Sequence, residues 1–157
     1  MNKIISNKYQ LLLGILFIIP GILIYMLERP SWQTPWLAYH LFNPASKYIL
    51  FGTIGYNLPS FFHVVSLALI TSGIYAFKKV QYIKVCVGWI LFNSIFEILQ
   101  MNFIQNISDQ KWIYNYSLHG VFDSKDILAI CLGGCIAYFI LIITQKPIKN
   151  ENKKQTS

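Results

Sequence analysis

The stretch LFNSIFEILQ, residues 91–100, sets a carboxylate, Glu97, among Ile95, Phe96, Ile98 and Leu99. It belongs to a longer apolar run, 80–103. A hydrocarbon core about 30 Å thick is crossed by roughly 20 residues of helix, so this run is long enough to span. Three further runs qualify: 9–27, 61–77 and 126–144. Together they predict an all-α fold, a polytopic four-helix transmembrane bundle forming one membrane domain over residues 1–157, with a polar tail after 145. Pro20-Gly21 predicts a kink in the first span. Leu58-Pro59-Ser60 puts a proline in the first turn of the second, and Lys84 near the start of the third can snorkel back to the surface.

Composition agrees with a membrane class. Of 157 residues, 55% are hydrophobic and only 12% charged, against about 25% charged in soluble domains; the mean hydropathy is +0.47. A net charge of +7 would fit an acidic partner such as nucleic acid, but most lysines flank apolar runs instead of forming a patch, so no nucleic-acid partner is expected. Lys3, Lys8, Lys78, Lys79, Lys84, Lys146, Lys149, Lys153 and Lys154 fall on one side of the spans, and only Arg29, Lys47, Lys111 and Lys125 on the other. The positive-inside rule then puts both termini in the cytoplasm. The start, MNKIISNKYQLLLGILFIIPGILIY, has a basic head and an apolar core but no A-x-A-like cleavage site, and reads as an uncleaved signal anchor. Cys86, Cys131 and Cys135 all lie in apolar runs and are read as small packing residues.

The outer loop 28–60 is aromatic, with Trp32, Trp36, Tyr39, Phe42, Tyr48, Phe51 and Tyr56. Such residues favour the membrane interface, so short interfacial helices are expected in PWLAYHLF and YILFGTIG. The second outer loop, 104–122, is polar and aromatic. The Ile-, Lys- and Asn-rich composition fits a bacterial protein, and the location expected is the bacterial cytoplasmic membrane.

Asn93, Glu97 and Gln100 are spaced i, i+4, i+7, on one face of span three. That chain runs outward, so Glu97 lies roughly 9 Å below its outer end at 1.5 Å per residue. His63 falls in the first outer turn of span two, and Asp123 and Asp126 open span four. Topology alone thus brings His63, Glu97, Gln100, Asp123 and Asp126 to the outer third of the membrane, and with Asn93 they make the candidate pocket. A carboxylate at mid-span costs about 2.5–3.5 kcal/mol on the insertion scale and generally faces the bundle interior or a wet cavity; Glu97 is therefore expected to turn inward, towards His63 and span four. Plainer readings stand beside this one. Asp123 and Asp126 are spaced as N-cap and N3 of a helix; Asn93 and Gln100 suit interhelical hydrogen bonding; His63 suits the interface. Ala129, Gly133 and Ala137 form a ridge for close helix packing. No metal or other cofactor is expected, because His63, Glu97 and Asp126 lack H-E-x-x-H or an equivalent spacing.

The segments LPSFFH (58–63), FEILQ (96–100) and GVFDSKDILAICLGG (120–134) resemble the VanZ-like family of small bacterial membrane proteins. That family's pattern is a histidine early in one helix, E-x-x-Q late in the next, then an aspartate followed seven residues later by glycine. Here those positions are His63, Glu97 with Gln100, and Asp126 with Gly133. Two positions depart from it: Gly120-Val121 stands where an arginine is common, and Ile130 where an asparagine is usual. The namesake's link to glycopeptide-antibiotic resistance is not carried over to this chain. The resemblance implies a role at the outer face of a bacterial cytoplasmic membrane.

The leading expectation is a binding protein of the envelope, whose outward polar pocket takes a lipid headgroup, a lipid-linked glycan or an envelope peptide, with membrane lipids as its surroundings. An intramembrane enzyme, hydrolytic or group-transferring on a lipid-linked substrate, is the alternative, with Glu97 as base and His63 as acid or metal ligand. A third class is a transporter, an oligomer or a scaffold subunit of a membrane complex.

Overall fold

The computed structural model describes residues 7–28, 51–75, 77, 79–100 and 122–145. These form four helices: α1 (Lys8–Glu28), α2 (Leu58–Tyr75), α3 (Lys79–Ile98) and α4 (Ser124–Ile143). A single 3-10 turn, Gly52–Ile54, precedes α2, and no strand occurs among the described residues. Long apolar runs settle as helices because a helix satisfies its own backbone where water cannot. α1, α2 and α4 are each long and apolar enough to cross a membrane. α3 is less apolar, because Lys79, Gln81, Lys84, Asn93 and Glu97 interrupt it.

The contacts fix the directions. Asn7 N–H donates to Gly73 O at 2.8 Å, while Gly21 lies against Phe62, so α1 and α2 are antiparallel. Tyr82 on α3 meets the end of α4 through Gln10, whereas Glu97 meets its start, so α3 and α4 are antiparallel too. α2 packs on α1, α3 and α4, which makes it the central helix. Two glycines permit the closest backbone-to-backbone approaches. A Cβ on Gly73 would lie 2.6 Å from Leu11 N, and one on Gly133 would lie 2.7 Å from Phe61 O. Both neighbours are backbone, so neither position has room for a side chain.

Val65, Ala68, Leu69, Tyr82, Cys86, Ala137 and Leu141 form the buried core. The outside is apolar as well: Leu12, Leu16 and Leu23 on α1, Val87, Leu91 and Ile95 on α3, and Leu128, Leu132 and Phe139 on α4 are all exposed. Polar residues, by contrast, are inside: Gln10, Ser66 and Ser72 are fully buried. A water-soluble domain rarely shows both features together.

Several expectations shift in detail. α2 begins at Leu58 and α4 at Ser124, earlier than the spans expected at 61 and 126. α1 runs as one helix through Pro20. Cys86 is buried as expected of a packing residue, but Cys131 and Cys135 are exposed. The segment 35–42, residues 48–50, the loop residues 101–121 and the tail from 146 lie outside the described residues, as do Lys3, Lys78, Lys146, Lys149, Lys153 and Lys154; of the helix expected over 48–55, the described part forms only the 3-10 turn Gly52–Ile54.

Candidate functional site

The site is built on the first turn of α4. Asp123 is extended (φ −127°, ψ 120°) and acts as N-cap, its Oδ1 accepting from Lys125 N–H at 2.9 Å. Asp126 is then the third helical residue, and its backbone N–H donates to Asp123 O at 2.9 Å. In a capping box the N3 side chain would reach back to the N-cap N–H. Here Glu97 of α3 does so instead: Asp123 N–H donates to Glu97 Oε1 at 3.1 Å. Asp126 is thereby released to face α2. Its Oδ1 accepts from Ser60 Oγ at 2.9 Å and from Asn57 Nδ2 at 3.2 Å. The same Asn57 nitrogen donates to Asp123 Oδ2 at 3.2 Å, and Gln100 Nε2 donates to Glu97 Oε2 at 3.4 Å.

Three helices therefore meet in one polar network. Glu97, Asp126 and Asn57 are buried, at 8%, 4% and 8% exposure, while Asp123 and Gln100 are half-buried and carry the network towards the surface. Gathering three carboxylates is costly unless donors compensate. The compensation comes from the amides of Asn57 and Gln100, the Ser60 hydroxyl, the Asp123 and Lys125 N–H groups, and the positive end of the α4 dipole. Among the described residues no group of three His, Cys, Asp or Glu side chains is arranged to hold a metal ion.

His63 and Asn93 stand one turn deeper, on α2 and α3, as a separate pair. His63 is exposed and has the Asn93 side chain as hydrogen-bond partner. Asn93 Nδ2 is committed to Trp89 O at 2.8 Å, which leaves its oxygen to accept from the imidazole. Of the six candidates, four come together (Glu97, Gln100, Asp123 and Asp126), with Glu97 turned towards the start of α4. Asn57 and Ser60 complete the network and were not singled out from sequence. Their signal was available: Asn57, Ser60 and His63 recur every three residues where α2 begins. Asn57 sits in N-cap position, where an amide is ordinarily expected to serve its own helix.

A second polar cluster lies at the opposite end of the helices. Gln10 Nε2 is placed to donate to Tyr82 Oη at 3.2 Å, Thr144 Oγ1 at 3.2 Å and Leu141 O at 3.4 Å. Asn7 Nδ2 donates to Thr144 O at 3.1 Å. The final carbonyls of a helix have no partner within it, so the first turn of α1 caps the last turn of α4. Between the two ends the core is mainly apolar, with Val65, Ala68, Leu69, Cys86 and Ala137, and the buried Ser66 lies on the same stretch of α2. Comparison with protein-family models, with curated proteins and with solved structures finds no match for this chain.

Proposed function

We propose that this chain is a VanZ-like, four-span protein of the bacterial cytoplasmic membrane that binds a polar headgroup at the outer face. α3 serves as the fourth span: its exposed face is apolar, with Ile83, Val87, Leu91 and Ile95, and Lys79 and Lys84 fall near its inner end, where they reach the interface. With both termini cytoplasmic, the Asp126 end faces outward. The single observation that supports binding is the joining of Glu97, Gln100, Asp123 and Asp126 with Asn57 and Ser60 at that end. Carboxylates and amides of this kind accept from hydroxyl and ammonium groups, the groups borne by lipid headgroups, lipid-linked glycans and envelope peptides.

Two alternatives draw less support. An enzyme using Glu97 as base and His63 as acid needs them to share a substrate, yet Glu97 serves the Asp123 N–H and His63 pairs with Asn93. A transporter needs a polar route, whereas the described core between the two polar ends is mainly apolar, with Ser66 as a single buried hydroxyl on that stretch of α2. The binding reading is tested by extracting wild type and the Glu97→Gln and Asp126→Asn variants in native-lipid discs and weighing the retained lipids by mass spectrometry. Loss of one lipid class from both variants, with helix content unchanged, is expected. Identical lipid complements would leave the network a structural tie and reject the reading.

A further inference from the structure

At the Gln10 end the hydrogen bonding is incomplete in a specific way, independent of the headgroup reading. Gln10 is fully buried and its amide orientation is set by Leu141 O, a helix-terminal carbonyl that offers only lone pairs and so requires the nitrogen. Gln10 Oε1 is then buried with no donor among the described residues. Tyr82, 2% exposed, accepts from Gln10 and has no acceptor for its own O–H among the described residues. Ser72 Oγ is fully buried and likewise unpartnered. It adjoins Gly73, whose carbonyl takes the Asn7 N–H at 2.8 Å, so Ser72 lies at the level of the same α1 turn. Two unmet acceptors, Asn7 Oδ1 and Gln10 Oε1, the unmet Ser72 hydroxyl and the undonated Tyr82 O–H thus lie towards one end of the fold.

Buried polar groups in native proteins are nearly always satisfied, by protein or by ordered water. We propose that this end of the protein binds an internal water molecule, which donates to Gln10 Oε1, accepts from the Tyr82 O–H and takes Ser72 Oγ as a third partner. The geometry allows it: Oε1 and Nε2 sit on one carbon, and Tyr82 Oη is 3.2 Å from Nε2, so one water spans from Oη to Oε1. Internal waters typically make about three hydrogen bonds, the number available here. The partners are neutral and two of them are hydroxyls, a set that suits water better than a cation. The bound water joins α1, α2 and α3 beside the end of α4, and it gives the buried phenol of Tyr82 a solvent neighbour that its exposure does not reveal.

The test is hydroxyl-radical footprinting of the full chain in lipid nanodiscs with ¹⁸O water, in which a bound water labels the side chain it touches. Tyr9 and Tyr75, 69% and 63% exposed, are the accessible references. Wild-type Tyr82 is expected to label within severalfold of these references, and Gln10→Leu to suppress that labelling tenfold or more. Should Gln10→Leu fail to fold, Ser72→Ala removes one partner and is expected to lower Tyr82 labelling severalfold. Protection of Tyr82 in the wild type, or labelling that neither variant changes, would overturn the proposal.

Discussion

Replacing Gly133 with alanine tests how closely α2 and α4 must approach for the network to form. An added Cβ would lie 2.7 Å from Phe61 O and 3.4 Å from Phe61 C and Cα, where ordinary contact begins at 3.4 Å. The two helices must then part by about 0.7 Å, the difference between those distances, because a helix backbone cannot rotate aside as a side chain can. Overpacking of this kind costs about 1–3 kcal/mol. Ser60 precedes Phe61, and Asp126 lies on the same face as Gly133, two turns earlier. The same displacement would stretch the 2.9 Å Ser60–Asp126 bond beyond hydrogen-bonding range, adding about 0.6 kcal/mol, the average for such bonds in membranes. The sum is a loss of roughly 1.6–3.6 kcal/mol. Gly88 is the control, since a Cβ there meets nothing within 4 Å, and Gly88→Ala should stay within about 0.5 kcal/mol of wild type. Reversible unfolding in bicelles measures both. If Gly133→Ala proves as stable as Gly88→Ala, the close approach and the reasoning built on it are wrong.

Other substitutions probe separate parts of the account. Leu141→Ala removes a fully buried side chain and should cost about 2–5 kcal/mol, whereas Leu132→Ala, 52% exposed, should change stability by about 0.5 kcal/mol or less; the same unfolding assay compares them. Asn57→Ala withdraws the one donor shared by Asp123 and Asp126 and should destabilise by about 1–3 kcal/mol, with Asn57→Asp worse because it adds a fourth carboxylate. Trp89→Phe deletes the 3.1 Å bond from Nε1 to Thr71 Oγ1 and should cost no more than about 1.7 kcal/mol, read as a shift in midpoint.

Much of this architecture could be read from run lengths and topology. Four apolar runs forecast four helices, and the order of the chain placed Glu97 at the level of Asp123 and Asp126. The spacing of those aspartates announced a helix start, which the structure has. Side-chain direction was harder to read. α2 is apolar on every side, so periodicity does not say which face turns inward, and His63 ends on the exposed face because Val64, Val65, Ala68 and Gly73 pack instead. Which residue completes the α4 cap was illegible for a related reason: an N3 aspartate is the local choice, and only tertiary packing substitutes Glu97 for it. Gln10 was overlooked because it lies in what reads as the head of a signal anchor. Its role depends on the end of α4, which is remote in sequence.

The most direct measurement of the central claim is a cryo-EM map of the protein in native-lipid discs, at a resolution that separates headgroup from protein density. The account requires ligand density within hydrogen-bonding distance of the Glu97–Gln100–Asp123–Asp126 network, on the side of the membrane opposite the termini. A map in which protein alone encloses those side chains, or in which they face the cytoplasm, would contradict it.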